Sequence, residues 1–289
     1  MCVGPVLVDR IRFEADSEEI LCPGGNAVIA SAVLARRGIR VTLLGRVGED
    51  ANGALVRRFL RRNGVDVSRL IVAGNRRTKV ATICVRKDGT WFRRSAEPDF
   101  FHYVSHLNLQ DEGGLRRFHH VHVAGVQGLL RVAPSATFEI IQRCRDNGLT
   151  LSFGLTDSRC DRALVRDAIA TGDLVIGTAR EFGRLLKRRV GTRRQLIEAL
   201  RLSDLRNCVV TLGASGVLAK WQGSLLSRVP APSVVPRNSI GAGDVFGAVL
   251  VAEVLKRRPI STALRLATSA ASRSVAGRIW VRQLAVPEI

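Results

Sequence analysis

The residues Asn238-Ser239-Ile240-Gly241-Ala242-Gly243-Asp244 combine types and order that could do chemistry. A glycine turn and one carboxylate stand directly before an apolar run, Val245–Val251, whose apolar residues repeat at helix spacing through Val254 and Leu255. The turn therefore sits at a helix N-terminus, where unpaired N–H groups and the positive end of the helix dipole make an anion site. Glycines let a phosphate approach the backbone closely. A carboxylate at the same place repels that phosphate. The work that would justify it is to take a proton from an attacking hydroxyl. The plainer reading of the tetrapeptide is an ordinary helix cap, since Asp is favoured there.

Further chemistry-bearing residues lie elsewhere. Asp9, at the end of the first apolar run, would project into a cleft and could bind sugar hydroxyls, or be a solvated turn residue. Gly24-Gly25-Asn26 opens a helix of small residues, Ala27, Ala30, Ser31, Ala32 and Ala35, a pattern that admits a substrate near the backbone and close helix packing. Thr211-Leu212-Gly213-Ala214-Ser215-Gly216 follows a strand and leaves amides and a hydroxyl to face phosphates, or forms only a hairpin turn. His119, His120 and His122 have no acid or Cys spaced to complete a metal shell, so a core or strand-end role is expected.

These residues must be positioned by alternating elements. Val3–Val8, Val41–Leu44, Val80–Val85, His120–Ala124, Leu149–Phe153, Leu174–Ile176, Cys208–Leu212 and Val217–Lys220 read as strands. Asn26–Arg37, Gly53–Asn63, Ala136–Asn147, Asp161–Ala170, Ala179–Lys187, Arg193–Leu202, Ala242–Lys256 and Ile260–Val275 read as helices. Gly38, Gly64 and Gly148 stand just past helix ends, where a left-handed cap wants glycine. Such alternation predicts an α/β fold with a mainly parallel sheet between helix layers. Two excursions, about 10–23 and 78–92, depart from it and predict a small β lid over the carboxyl ends of the strands, where open α/β sheets bind ligands.

Composition bounds the class. No apolar run in the 289 residues is long enough to span a bilayer, and the N-terminus lacks the basic start of a signal peptide. The six cysteines, without paired spacing, fit a reduced, cytoplasmic protein. The net charge of +20 suggests attraction to polyanions. The arginines are nevertheless spread as short pairs, with no block of five like charges, and aromatics make up 5%. Weak, sequence-independent attraction to anions is expected rather than a specific nucleic-acid role.

Taken in order, Gly24–Gly53, with Leu43-Leu44-Gly45-Arg46-Val47-Gly48-Glu49-Asp50-Ala51-Asn52-Gly53 as its second half, and Asn238–Phe246 resemble the two signatures of the PfkB, or ribokinase-like, carbohydrate kinases. The likeness runs from Gly4 to Gly277. It implies a ribokinase-like three-layer α/β/α sandwich, one kinase domain over 1–289, that phosphorylates a hydroxyl of a sugar or sugar derivative from ATP. By the same resemblance Asp244 would be the general base, and Gly241, Ala242 and Gly243 the anion hole. Thr211, Gly213, Gly216 and Thr268 would bind ATP. Asp9, Gly24, Gly25 and Asn26 would hold the sugar, and Glu181 would help place Mg²⁺ through water. No membrane partner is implied, and the lid could join two copies as a homodimer. A catalytically weak sugar or nucleotide sensor and a nucleoside kinase are the alternatives.

The chain departs from the family pattern at four places. Ile29 stands where an Asn usually grips the sugar, which argues against unmodified ribose or adenosine. Gly154-Leu155-Thr156 replaces Asp-Pro-Asn, and Thr178-Ala179-Arg180-Glu181 keeps only the acid of Asn-x-x-Glu. Asn238-Ser239 replaces Asp-Thr, removing a charge that would support a monovalent cation, so no potassium dependence is expected. Arg86, Arg93 and Arg94 near the lid could pair with an anionic sugar or form a solvated face.

Overall fold

The structure is a computed structural model that describes residues 1–15, 18–96, 112–225 and 228–278. Along the chain run β1 (Cys2–Val3), β2 (Leu7–Phe13), β3 (Glu19–Gly24), α1 (Asn26–Arg36), β4 (Leu43–Gly48), α2 (Ala51–Arg62), β5 (Leu70–Ala73), β6 (Val80–Val85) and β7 (Trp91–Ala96). Then come α3 (Glu112–Arg116), β8 (His120–Ala124), α4 (Val126–Val132), α5 (Pro134–Asp146), β9 (Thr150–Gly154), α6 (Arg162–Ile169), β10 (Leu174–Thr178), α7 (Ala179–Leu186), α8 (Arg193–Arg201), β11 (Cys208–Thr211), β12 (Val217–Trp221) and β13 (Ser224–Leu225). Helices α9 (Ala242–Leu255) and α10 (Ile260–Ala276) close the described chain. The elements form two compact units, one of Met1 and Phe101–Ala231, the other of Cys2–Phe100 and Pro232–Ile289.

In the first unit β8, β9, β10 and β11 are parallel neighbours, and β12 and β13 add antiparallel strands at the β11 edge. Strands β10 and β11 are near-continuous apolar runs, as burial on both faces requires, whereas β8 and β9 alternate apolar residues with His and with Thr or Ser. Thr capping boxes start α7 and α8: Thr178 Oγ1 accepts from Glu181 N while Thr178 N donates to Glu181 Oε2, and Thr192 and Gln195 repeat the exchange. His120 and His122 are a strand pair, not a metal shell. His120 Nε2 and His122 Nδ1 each lie 2.8 Å from Ser152 Oγ, and His120 Nδ1 lies 2.7 Å from Thr150 Oγ1. Burial pushes the rings down to about 3 and 4, so they hydrogen-bond as neutral groups.

In the second unit β1, β4 and β5 are parallel, and a separate four-stranded sheet, in the order β3-β2-β6-β7, makes the lid. Here the expected first strand Val3–Val8 is corrected: the chain leaves β1 after Val3 and enters the lid at Leu7. Pro5 has no N–H to continue a ladder, and its carbonyl instead accepts from Ala27 N, 3.3 Å away. Asp9 therefore lies within a lid strand rather than at the end of the first strand. The lid runs past its expected limits of 10–23 and 78–92, from Leu7 and to Ala96. Its inner face, Ile11, Cys22, Ile83 and Val85, packs on Ile240, the residue before the glycine turn. Asp50, inside the first signature, caps α2: its carboxylate accepts from Gly53 N and from the Thr78 amide and hydroxyl. Helix α9 is buried on all sides from Val245 to Glu253, against α1 and α10, which accounts for an apolar run without a polar stripe.

Candidate active site

Gly241 caps α9 in the left-handed conformation at φ 73°, which glycine adopts without a steric penalty. Ala242 N donates to Ser239 O at 3.3 Å, so that amide is turned inward. The amides of Gly241 and Gly243 make no hydrogen bond among the described residues. A side chain at Gly243 would meet nothing within 4 Å, so space lies open over it. Of the three amides expected to face an anion, that of Ala242 is thus bonded within the turn, and those of Gly241 and Gly243 are not.

Asp244 occupies the third position of α9, half-buried, and its Oδ1 accepts from Asn26 Nδ2 at 2.8 Å. Asn26 begins α1 and Asp244 lies in the first turn of α9, so the packing of these two helices sets the pair. Asp9 is 5% exposed, and its carboxylate accepts no hydrogen bond among the described residues. A carboxylate in that state has room for a donor, and its desolvation is costly until one arrives. Burial, opposed by the charge of Arg93 and reinforced by that of Asp244, pushes its carboxyl up to about 7. Gly24 is required beneath it, because a Cβ there would collide with the Asp9 carboxyl group. Gly25, at φ 92°, passes so close to the Pro5 carbonyl that no side chain fits. The inner-face register places Arg93 opposite Ile83, near Asp9; the side chain of Arg94 lies outside those described. Thr268 is buried on α10 and donates its hydroxyl to Leu264 O at 2.7 Å. Asn238, almost wholly buried, accepts from Ile240 N and donates to Arg278 O.

In the first unit a cleft of about 610 Å³ is lined by Thr178, Glu181, Thr192, Thr211, Gly213 and Ser215, with Arg180, Arg193 and Arg228 among its cations. Its size is that of a small-molecule site. Glu181 is held by its own helix start, and burial raises its carboxyl above the ordinary range. Gly213, at φ 60°, has open space over its Cα. Gly216, at φ 87°, is glycine for a different reason: its backbone passes against Val229 and Pro230. Among the described residues no group of three His, Cys, Asp or Glu could hold a metal. Two carboxylates line the cleft, Asp157, paired with Arg180 and Arg184, and Glu181; such a lining fits magnesium, which is commonly held by one or two carboxylates together with a nucleotide's phosphates. The three arginines of this cleft escaped the sequence reading, since arginine is too common in this chain to single them out. The link of Asn26 to Asp244 was hidden by 218 residues of separation.

The family model described as pfkB family carbohydrate kinase matches residues 1–278. A fructokinase of Vibrio alginolyticus is 26% identical over 86% of this chain and 81% of its own length. An ATP-dependent ribose-1-phosphate kinase of Halopiger xanaduensis is 29% identical over 95% of this chain and 88% of its own. Among solved structures, a fructokinase double mutant from Vibrio cholerae O395, with fructose, ADP and potassium bound, superposes with a TM-score of 0.79 at 23% identity, covering 98% of this chain and 93% of that one. The last comparison shows the fold, a ribokinase-like α/β architecture.

Proposed function

The chain belongs to the pfkB family of carbohydrate kinases, and from that premise we propose that it transfers the terminal phosphoryl group of ATP to a hydroxyl of a sugar or sugar derivative, with Asp244 as general base. The observation that carries the proposal is the 2.8 Å bond from Asn26 to Asp244 Oδ1 beside the open amides of the glycine turn. It fixes the orientation of a carboxylate that capping alone would leave free to turn.

An acceptor hydroxyl hands its proton to Asp244 as its oxygen attacks the terminal phosphorus. The bond from that phosphorus to the bridging oxygen breaks, and ADP leaves with the electron pair. The Gly241 and Gly243 amides receive negative charge on the transferring oxygens. Asp9 accepts a second hydroxyl of the acceptor, filling the seat it has open. The cleft of Thr211 and Gly213 takes the nucleotide, and Glu181 is the residue that would hold magnesium, which neutralises phosphate charge when bound.

The names of the relatives make fructose and ribose 1-phosphate the first acceptors to try. ADP release should be measured with Mg-ATP over a panel of sugars, sugar acids, sugar phosphates and nucleosides. Turnover on at least one sugar is expected. Turnover on nucleosides alone would transfer the proposal to a nucleoside kinase, and tight binding without turnover on any member would make the chain a sensor. We extend the proposal to a homodimer through the lid, whose outer face exposes Leu21 and Phe92. Sedimentation should then show a dimer that Leu21→Lys converts to a monomer.

A further inference from the structure

Three helix C-termini of the second unit come together away from the residues of the proposed reaction. Arg37, capping α1, pairs with Glu253 near the end of α9 at 2.8 Å, and Arg36 Nε donates to Asn63 Oδ1, just past α2, at 2.9 Å. The junction is crowded with cations: Arg36, Arg37 and Arg40 from α1 and its exit, Arg61 and Arg62 from α2, and Lys256-Arg257-Arg258 from α9. Arg36–Arg40 and Lys256–Arg258 carry six cations in eight residues, against 45 in 289 for the whole chain.

Helix dipoles explain part of this. Each C-terminus carries roughly half a negative charge and favours a cation in its last turn. Three such ends, with buried Glu253 and with Asp66, fall well short of balancing eight cations. Arg40, Arg61, Arg62 and Arg257 are exposed and engage no acid among the described residues. Arg257 is also conformationally out of place. It occupies the left-handed position after α9, at φ 57°, with Arg257 N bonded to Val254 O and Arg258 N to Glu253 O. At the same position after α1 and α2 the chain uses Gly38 and Gly64. An arginine held there strains the backbone where glycine would not, and a breach of a local rule at a dense charged patch points to use rather than to packing.

We infer that this junction is a docking surface for duplex nucleic acid, gripped through its backbone phosphates without reading sequence. Arginine forks match phosphate oxygens. The exposed large apolar residues, such as Leu21, Trp91, Phe92 and Val235, lie on other segments. On the junction's own segments Ile39 and Phe59 are only partly exposed, so the surface presents no fully exposed side chain to sink into a lipid interface and no fully exposed ring on which single strands stack. The surface is independent of the phosphoryl-transfer site.

The test is fluorescence anisotropy with labelled DNA and RNA duplexes of unrelated sequence, with anionic phospholipid vesicles as a separate arm. Expected is binding to both duplexes alike, with log K falling against log salt at a slope of about −4 or steeper, the mark of four or more phosphate contacts. Arg40→Glu with Arg61→Glu and Arg257→Glu should weaken binding at least about tenfold and flatten the slope by about three, with kinase turnover unchanged. Arg257→Gly guards against a folding artefact: it should raise Tm while weakening duplex binding. Binding that survives charge reversal, no binding at about 50 mM salt, or a preference for vesicles over duplexes would overturn the inference.

Discussion

The role proposed for Asp9 sets binding against stability. Burial, opposed by Arg93 and aided by Asp244, raises its carboxyl to about 7 in the folded chain, whereas the unfolded chain titrates it in the ordinary carboxylate range. Between those values the folded state keeps the proton and the unfolded state has lost it. The stability this group contributes is complete at pH 4 or below and is lost as pH rises through 7, by at most on the order of 4 kcal/mol. Asp9→Asn should therefore raise Tm at pH 8, leave it unchanged at pH 4, and abolish acceptor binding. A lower Tm at pH 8 would count against a strained carboxylate. In the wild type, kcat/KM for the acceptor should climb with pH through about 7, as the ionised form gains its full accepting capacity. At Glu181 the amide variant separates two roles. Glu181→Gln keeps an acceptor for the Thr178 amide, so Tm should hold, while the Mg²⁺ concentration for half-maximal rate should rise about tenfold. An unchanged magnesium requirement would remove Glu181 from the metal site.

At the scale of elements, helix starts do most of the positioning. The Asp50 carboxylate ties the first turn of α2 to Thr78 at the entry to the lid strand β6. Asp50→Ala should cost about 2 kcal/mol in urea unfolding, above a simple cap, because Thr78 loses partners too. Asn238 donates its amide to Arg278 O and accepts from Ile240 N, so the turn before Asp244 is held by a neutral side chain. Exchanging sodium for potassium should then change the rate less than about twofold, while a strong potassium activation would contradict that assignment. These starts were readable: Thr178 and Glu181 stand at capping-box spacing, and the glycines after helices mark their ends. The switch of the chain from β1 to the lid was not. Val3–Val8 reads as one apolar strand, and only tertiary pairing of Leu7 and Val8 with β3 and β6 decides which sheet takes them. Short pieces such as β5 and α4 escaped because four to seven residues carry too little periodicity. The glycine turn was legible because its glycines and acid lie consecutively. The burial of the Asp9 carboxyl was not, because it depends on the switch of the chain from β1 into the lid.

For the whole molecule, charge is the dominant departure from ordinary composition. A chain of net charge +20 repels itself when compact, and salt screens that repulsion within about 8 Å at physiological strength. Tm should rise between 20 and about 300 mM salt, more with sulfate than with chloride. A flat or falling Tm would mean the cations are already locally balanced. The proposal of one kinase domain over 1–289 predicts a single calorimetric transition, and two separate transitions would divide the chain at its compact units.

The most direct test of the account is single-turnover phosphoryl transfer by Asp244→Asn, with binding of acceptor and nucleotide measured separately by calorimetry. The chemical step should slow by roughly two to four orders of magnitude while both ligands still bind, since the amide keeps its bond partner but cannot take the proton. Transfer at the wild-type rate would contradict the account.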